Sequence, residues 1–258
     1  MKRMGELIFS AVLAVGVILS GQVQADSLSG LSLKDPYLRL SVGGGKSSYS
    51  KGMWHSPGPG DPDVYFNLNG KKPFVGTVAI GATMAPGLRG ELALTGTGRQ
   101  SVTGTWSYTV PTVPGPHADI TSASVRSTAL MANAIYAPME ATQPEARIQP
   151  FLLGGIGIAA NSVGDWTRTN AAAVRPVRTF EGRTSYSFAW TAGVGVSVNV
   201  SKTAAKPIYL ESMLQYIDFG TARGGSTPLP GMGTSTPITP FQFKHSAAVL
   251  SVGLRIPF

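Results

Sequence analysis

Near the end of the chain, every second residue is apolar: Leu250, Val252, Leu254, Ile256 and Phe258 alternate with Ser251, Gly253, Arg255 and Pro257. This period of two predicts a strand with one greasy face and one of small or polar groups. The same rhythm recurs upstream. Phe188, Trp190, Ala192, Val194, Val196 and Val198 oppose Ala189, Thr191, Gly193, Gly195 and Ser197, and Leu88, Gly90, Leu92 and Leu94 oppose Arg89, Glu91, Ala93 and Thr95. Leu210, Ser212, Leu214 and Tyr216 oppose Glu211, Met213, Gln215 and Ile217. Eight strands are expected, at 36–46, 73–84, 88–98, 124–138, 148–160, 185–200, 207–220 and 243–258.

The links between these strands alternate in length. Segments 85–87, 139–147 and 201–206 are short, whereas 47–72, 99–123, 161–184 and 221–242 are long. All long links therefore fall at one end, with both chain ends at the other, which is the topology of an outer-membrane barrel with short periplasmic turns and long outer loops. A β-sandwich has no reason to sort its connections this way. A soluble barrel of the lipocalin kind would turn the large apolar row inward and show water a surface of Gly, Ala, Ser and Thr. The bulky rows are therefore expected to face lipid. The fold class is all-β, an eight-stranded antiparallel up-and-down transmembrane barrel, with Arg39, Arg89, Glu91, Glu211, Gln215 and Arg255 forming a polar network in its lumen.

Composition agrees. With 32 Gly, 19 Pro and 13% charged residues, the chain is poor in exposed-helix formers and rich in strand punctuation. Without Cys, stability must come from the core, the closed sheet or the membrane. Lys2 and Arg3 precede an uncharged run at 7–19 and then Val23-Gln24-Ala25, so residues 1–25 read as a cleaved signal peptide and 26–258 as the barrel domain. The formal charge of +8 favours anionic partners, and export excludes nucleic acid.

Several short motifs resemble the small outer-membrane barrels of the opacity protein and outer membrane protein A type. They are Gly87-Leu88-Arg89-Gly90-Glu91-Leu92, Asn133-Ala134-Ile135-Tyr136, Pro150-Phe151-Leu152-Leu153-Gly154-Gly155-Ile156-Gly157, Tyr209-Leu210-Glu211 through Gln215-Tyr216-Ile217-Asp218-Phe219-Gly220, and Gly253-Leu254-Arg255-Ile256-Pro257-Phe258. The resemblance spans nearly the whole mature chain and implies that Phe258 belongs to the signal read by the barrel assembly machinery. Met213-Leu214-Gln215 departs from the family, which more often has Gly, an aromatic and Arg there.

Candidate chemistry is sparse. Gly155-Ile156-Gly157-Ile158-Ala159-Ala160 spells a dinucleotide fingerprint, but no helix is expected after it, so close strand packing accounts for the glycines and no cofactor is expected. His245 and Ser246 are adjacent on a strand and so point to opposite faces, unlike the His-x-Ser spacing of lipid A deacylases. His55 and His117 lack metal-ligand spacing. Arg168, Arg175, Arg178 and Arg183 make 161–184 a candidate anion-binding loop suited to lipopolysaccharide phosphates. Trp54, Trp106 and Trp166 are candidates for an interfacial belt or contact surface. The expectation is a non-enzymatic outer-membrane protein with a structural or surface-interaction role, adhesion-like, facing outer-membrane lipid and an extracellular ligand. The alternatives are a narrow porin-like channel and, behind it, a lipid A-modifying enzyme.

Overall fold

Strands form where apolar and polar residues alternate, and most of them run beyond the predicted limits. The computed structural model describes residues 33–56, 58, 60–112, 118–170, 177–201 and 207–258, so the expected signal peptide lies outside the described residues. The strands are β1 (Lys34–His55), β2 (Asp63–Gly70), β3 (Phe74–Ala85), β4 (Leu88–Thr97), β5 (Gln100–Val110), β6 (Asp119–Tyr136), β7 (Ile148–Val163), β8 (Trp166–Asn170), β9 (Arg178–Phe180), β10 (Arg183–Asn199), β11 (Tyr209–Arg223) and β12 (Thr239–Pro257). One helical turn, α1 (Pro138–Thr142), joins β6 to β7.

The order β12-β11-β10-β7-β6-β4-β3-β1 closes on itself through β1 and β12, so eight antiparallel strands make the ring. The four additional strands extend its staves. β2 continues β3 along β1, from the Gly44–Phe74 pair to the Gly52–Phe66 pair. β5 continues β4 along β6, and β8 continues β7 along the same strand. β9 pairs with β8 as β10 pairs with β7. The expected long loops thus contain strands that carry the cylinder upward into a head, which Phe180 joins to Pro228 by an isolated bridge.

Polarity reverses between the two tiers. In the lower tier Val252, Leu254, Trp190 and Leu210 are 47%, 41%, 40% and 39% exposed on the outside, while Glu91, Glu211 and Arg255 are 6%, 5% and 6% exposed. In the head, Val64, Phe66 and Val102 point inward and Asn67, Asn69, Ser101, Thr103 and Thr105 point outward. A surface that is apolar below and polar above is that of a barrel set in lipid with its long-link end in water. The reversal marks the boundary.

One-residue irregularities accompany it. Tyr49 and Trp54 both face inward although strict alternation would oppose them, because β1 slips register between Ser50 and Met53. β11 does the same between Asp218 and Thr221, where Gly220 takes a φ of 72° that other residues rarely adopt. Bulges of this kind add twist and re-aim side chains at barrel rims.

Candidate functional site

The lumen is filled in layers. Nearest the short turns lies an ionic layer. Arg39 on β1 grips Glu91 on β4 with two guanidinium nitrogens, one of them Nε at 3.0 Å from Oε2. Asn133, directly across from Glu91 on β6, donates Nδ2 to Oε1 at 2.8 Å, and the Tyr37 hydroxyl donates to Oε2 at 3.4 Å. Glu211 on β11 accepts from Arg255 Nε at 2.8 Å, Ser197 Oγ at 2.9 Å and Arg89 Nη1 at 3.3 Å.

Register explains the division. Arg39 and Arg255 are cross-strand neighbours on β1 and β12, and like charges placed opposite repel. Each guanidinium therefore turns to a different carboxylate. Arg255 also stacks on its other neighbour, Tyr209, with Cζ 3.9 Å from the ring centroid.

Glu140 on α1 completes the layer. Its carboxylate lies 2.8 Å from Arg255 Nη2 and 3.5 Å from Arg89 Nε, so a residue of the short turn reaches in to cap the ionic layer. Arg39, Arg89 and Arg255 are thereby matched by Glu91, Glu211 and Glu140, which leaves no net charge to desolvate. The sequence reading missed Glu140, because a turn position carries no periodicity. Tyr37 and Asn133 were legible in principle, since they share inward rows with Arg39 and Met131. Gln215 lies apart from the ionic groups, with Nε2 on Thr191 Oγ1 at 2.7 Å.

Above this comes a narrow waist of small and aliphatic side chains, among them Ala79, Ala93, Ala129, Ala159, Ala189 and Ala247. Glycines tighten the wall here: a Cβ on Gly157 would lie 2.0 Å from the Leu130 carbonyl oxygen.

A neutral polar layer follows. His245, fully buried, is sandwiched between Tyr49 and Phe219 with ring centroids 5.1 and 5.0 Å away. Ser127 Oγ donates to Asn161 Oδ1 and sits 2.8 Å from His245 Nδ1, so Nδ1 must carry the proton that Ser127 accepts. Ser47 stands 3.4 Å from the other ring nitrogen. Ser246 points away to the outer face, so the two residues weighed for deacylation do not meet.

The top layer belongs to the head. Trp166 stacks on Phe180 at 4.3 Å and meets Trp54 edge-on at 6.0 Å, with Phe241, Phe243 and Phe66 around them. Trp54 and Trp166 are fully buried and so form neither a belt nor an outer contact surface, a correction that for Trp54 follows from the bulge in β1. Trp106 packs against this cluster, half-buried.

The arginines of the expected anion-binding loop are dispersed. Arg168 turns inward, pairing with Asp119 at 2.8 Å and lying 4.3 Å over the Trp54 ring. Arg178 is its cross-strand neighbour on β9, Arg183 is exposed at the start of β10, and Arg175 lies outside the described residues, as does His117. His55 Nδ1 pairs with Asp63 at 2.7 Å. Among the described residues, no group of three or more His, Cys, Asp or Glu side chains is placed to hold a metal ion. Phe258 directly follows the closing strand, with its N–H on the Pro36 carbonyl at 3.0 Å.

No family model and no curated protein matches the sequence. Among solved structures, Neisserial surface protein A is 16% identical with a TM-score of 0.44, the match covering 88% of this chain and 99% of that one. The outer membrane protein OprG from Pseudomonas aeruginosa is 11% identical at a TM-score of 0.46, over 89% of this chain and 98% of its own. The outer membrane protease OmpT from Escherichia coli is 11% identical at 0.46, over 90% and 100%. The chain is similar to these bacterial proteins while sharing little sequence with any of them.

Proposed function

We propose that this protein is a non-conducting barrel of the bacterial outer membrane that holds a rigid, closed head above the lipid for surface interaction. The observation that carries this reading is the double closure of the lumen, by charge-matched ionic groups at the short-turn end and by packed aromatic rings at the head. An eight-stranded cylinder is only wide enough for its own side chains, and these occupy it. Barrier and platform are then one object, because the staves that cross the membrane are those that build the head.

The head offers a polar face suited to adaptable contacts. Tyr65 and Tyr108 stack at 4.5 Å across β2 and β5, beside the outward Asn and Thr rows, and tyrosine gives contact area at small entropic cost. Arg178 and Arg183 add cationic points for an anionic ligand.

Planar bilayers test the central claim. The folded protein, checked by a mobility difference between heated and unheated gel samples, is expected to give no discrete current steps. Reproducible single-channel steps from such a preparation would establish the narrow-channel alternative instead.

A further inference from the structure

The barrel wall parts beside β1. Climbing β1, pairing with β3 ends at Gly44–Phe74 and pairing with β2 resumes only at Gly52–Phe66, in the same register. Over the interval β2 leans onto β5 through the pairs from Phe66–Trp106 to Gly70–Val102. The parting leaves a cleft of about 200 Å³ at the level where surface polarity reverses, and Lys46, Lys71 and Lys72 line it together with Ser48, Tyr49 and Asn69. All three lysines are exposed, and among the described residues no carboxylate lines the cleft. Gly70 lies against the Tyr49 ring, where a Cβ would come within 2.2 Å of Cε2.

A second hollow lies below it on the outer wall. Leu40, Val42, Val78, Val252 and Leu254 surround a groove of about 350 Å³ that also takes in Gly76. A Cβ on Gly76 would meet nothing within 4 Å, so the groove owes its depth to the missing side chain. Leu40, Val42, Gly44 and Lys46 are successive outward residues of β1. Lys46 therefore stands about 13 Å along β1 from Val42, a rise of about 10 Å at the usual strand tilt, so a headgroup at Lys46 places its acyl chain over the groove.

We propose that cleft and groove form one binding site for a phosphorylated, acylated lipid of the outer leaflet. Lys46, Lys71 and Lys72 hold the phosphate, and one acyl chain lies in the groove floored by Gly76. Charge complementarity selects the headgroup, since three ammonium groups without a counter-ion face the place where phosphates gather. The groove selects for an attached chain. This site rests on the membrane placement proposed above and is independent of the silent lumen.

The test uses the full chain folded into phosphatidylcholine nanodiscs containing a trace of labelled phosphatidic acid, a diacyl phosphomonoester. Wild type is expected to enrich phosphatidic acid over phosphatidylcholine at its surface, and the triple variant Lys46→Gln, Lys71→Gln, Lys72→Gln to lose about tenfold or more of that preference. Gly76→Leu, which fills the groove and leaves the lysines alone, is expected to weaken long-chain but not short-chain phosphatidic acid. Heated and unheated gels check each fold, and the double variant Lys71→Gln, Lys72→Gln, confined to a surface link, carries the same expectation with a smaller loss. Unchanged enrichment in the lysine variants overturns the proposal. So does displacement of the lipid by inorganic phosphate as effectively as by unlabelled phosphatidic acid, which would mark a free-phosphate site. A chain that enters no bilayer overturns the membrane placement as well, whereas an inserted chain without preference overturns this proposal alone.

Discussion

Glu91→Gln is expected to lower the unfolding free energy of the barrel by about 3–5 kcal/mol, the cost of breaking a buried ion pair by removing one partner. The carboxylate accepts from Arg39, Asn133 and Tyr37 inside a wall that excludes water. A carboxamide supplies one acceptor oxygen and presents an N–H₂ to a site already crowded with donors, so the Arg39 guanidinium is left buried and uncompensated. Urea titration in detergent micelles, followed by tryptophan fluorescence, measures the loss. Replacing both ends, Arg39→Met with Glu91→Leu, is expected to recover most of it, because an apolar pair carries no desolvation penalty. If Glu91→Gln cost less than about 1 kcal/mol, the pair would be behaving as a solvated surface bridge and the sealed lumen would be refuted.

How much of this was legible in the sequence depended on what lies outside each strand. The lipid-facing rows of Leu88, Leu92 and Leu94, or of Leu250, Val252 and Leu254, set the register of their opposite rows, so the inward direction of Arg89, Glu91 and Arg255 followed from parity alone. Which arginine meets which glutamate did not follow, because it depends on strands far apart in sequence, such as β4 and β11 for Arg89 and Glu211. The head strands escaped detection for a physical reason. β2 carries Val64 and Phe66 inward against Tyr65, Asn67 and Asn69 outward, the pattern of a water-exposed strand, and its neighbours Pro57, Pro59 and Pro62 read as loop. Trp54 was misplaced because 47–72 read as a long link, and alternation continued from Tyr49 would still have turned it outward, since a bulge leaves no clear mark in a single sequence.

That bulge raises the question of whether head and membrane tier stand or fall together, and Trp166→Ala is expected to separate them. The indole stacks on Phe180, meets Trp54 edge-on and lies 5.7 Å from Phe241, while Nε1 donates to the Gly225 carbonyl at 2.8 Å. Truncation to Ala opens a cavity at the centre of the cluster and leaves that carbonyl without its donor, for a loss of about 3–5 kcal/mol. Trp166→Phe keeps most of the ring contact and forfeits the hydrogen bond, so it is expected to cost about 1–3 kcal/mol. The loss should fall on the head, since the lower staves keep every strand pair below the bulges and their outward rows stay in lipid. Limited proteolysis with fragment mapping is the discriminating measurement. Cleavage between Gly224 and Thr239 should accelerate in the Ala variant, while the heat-dependent gel shift of the membrane tier persists. Loss of that shift together with proteolytic sensitivity would show instead that the apolar cluster and the ionic layer, joined through the alanine waist, unfold as one cooperative unit.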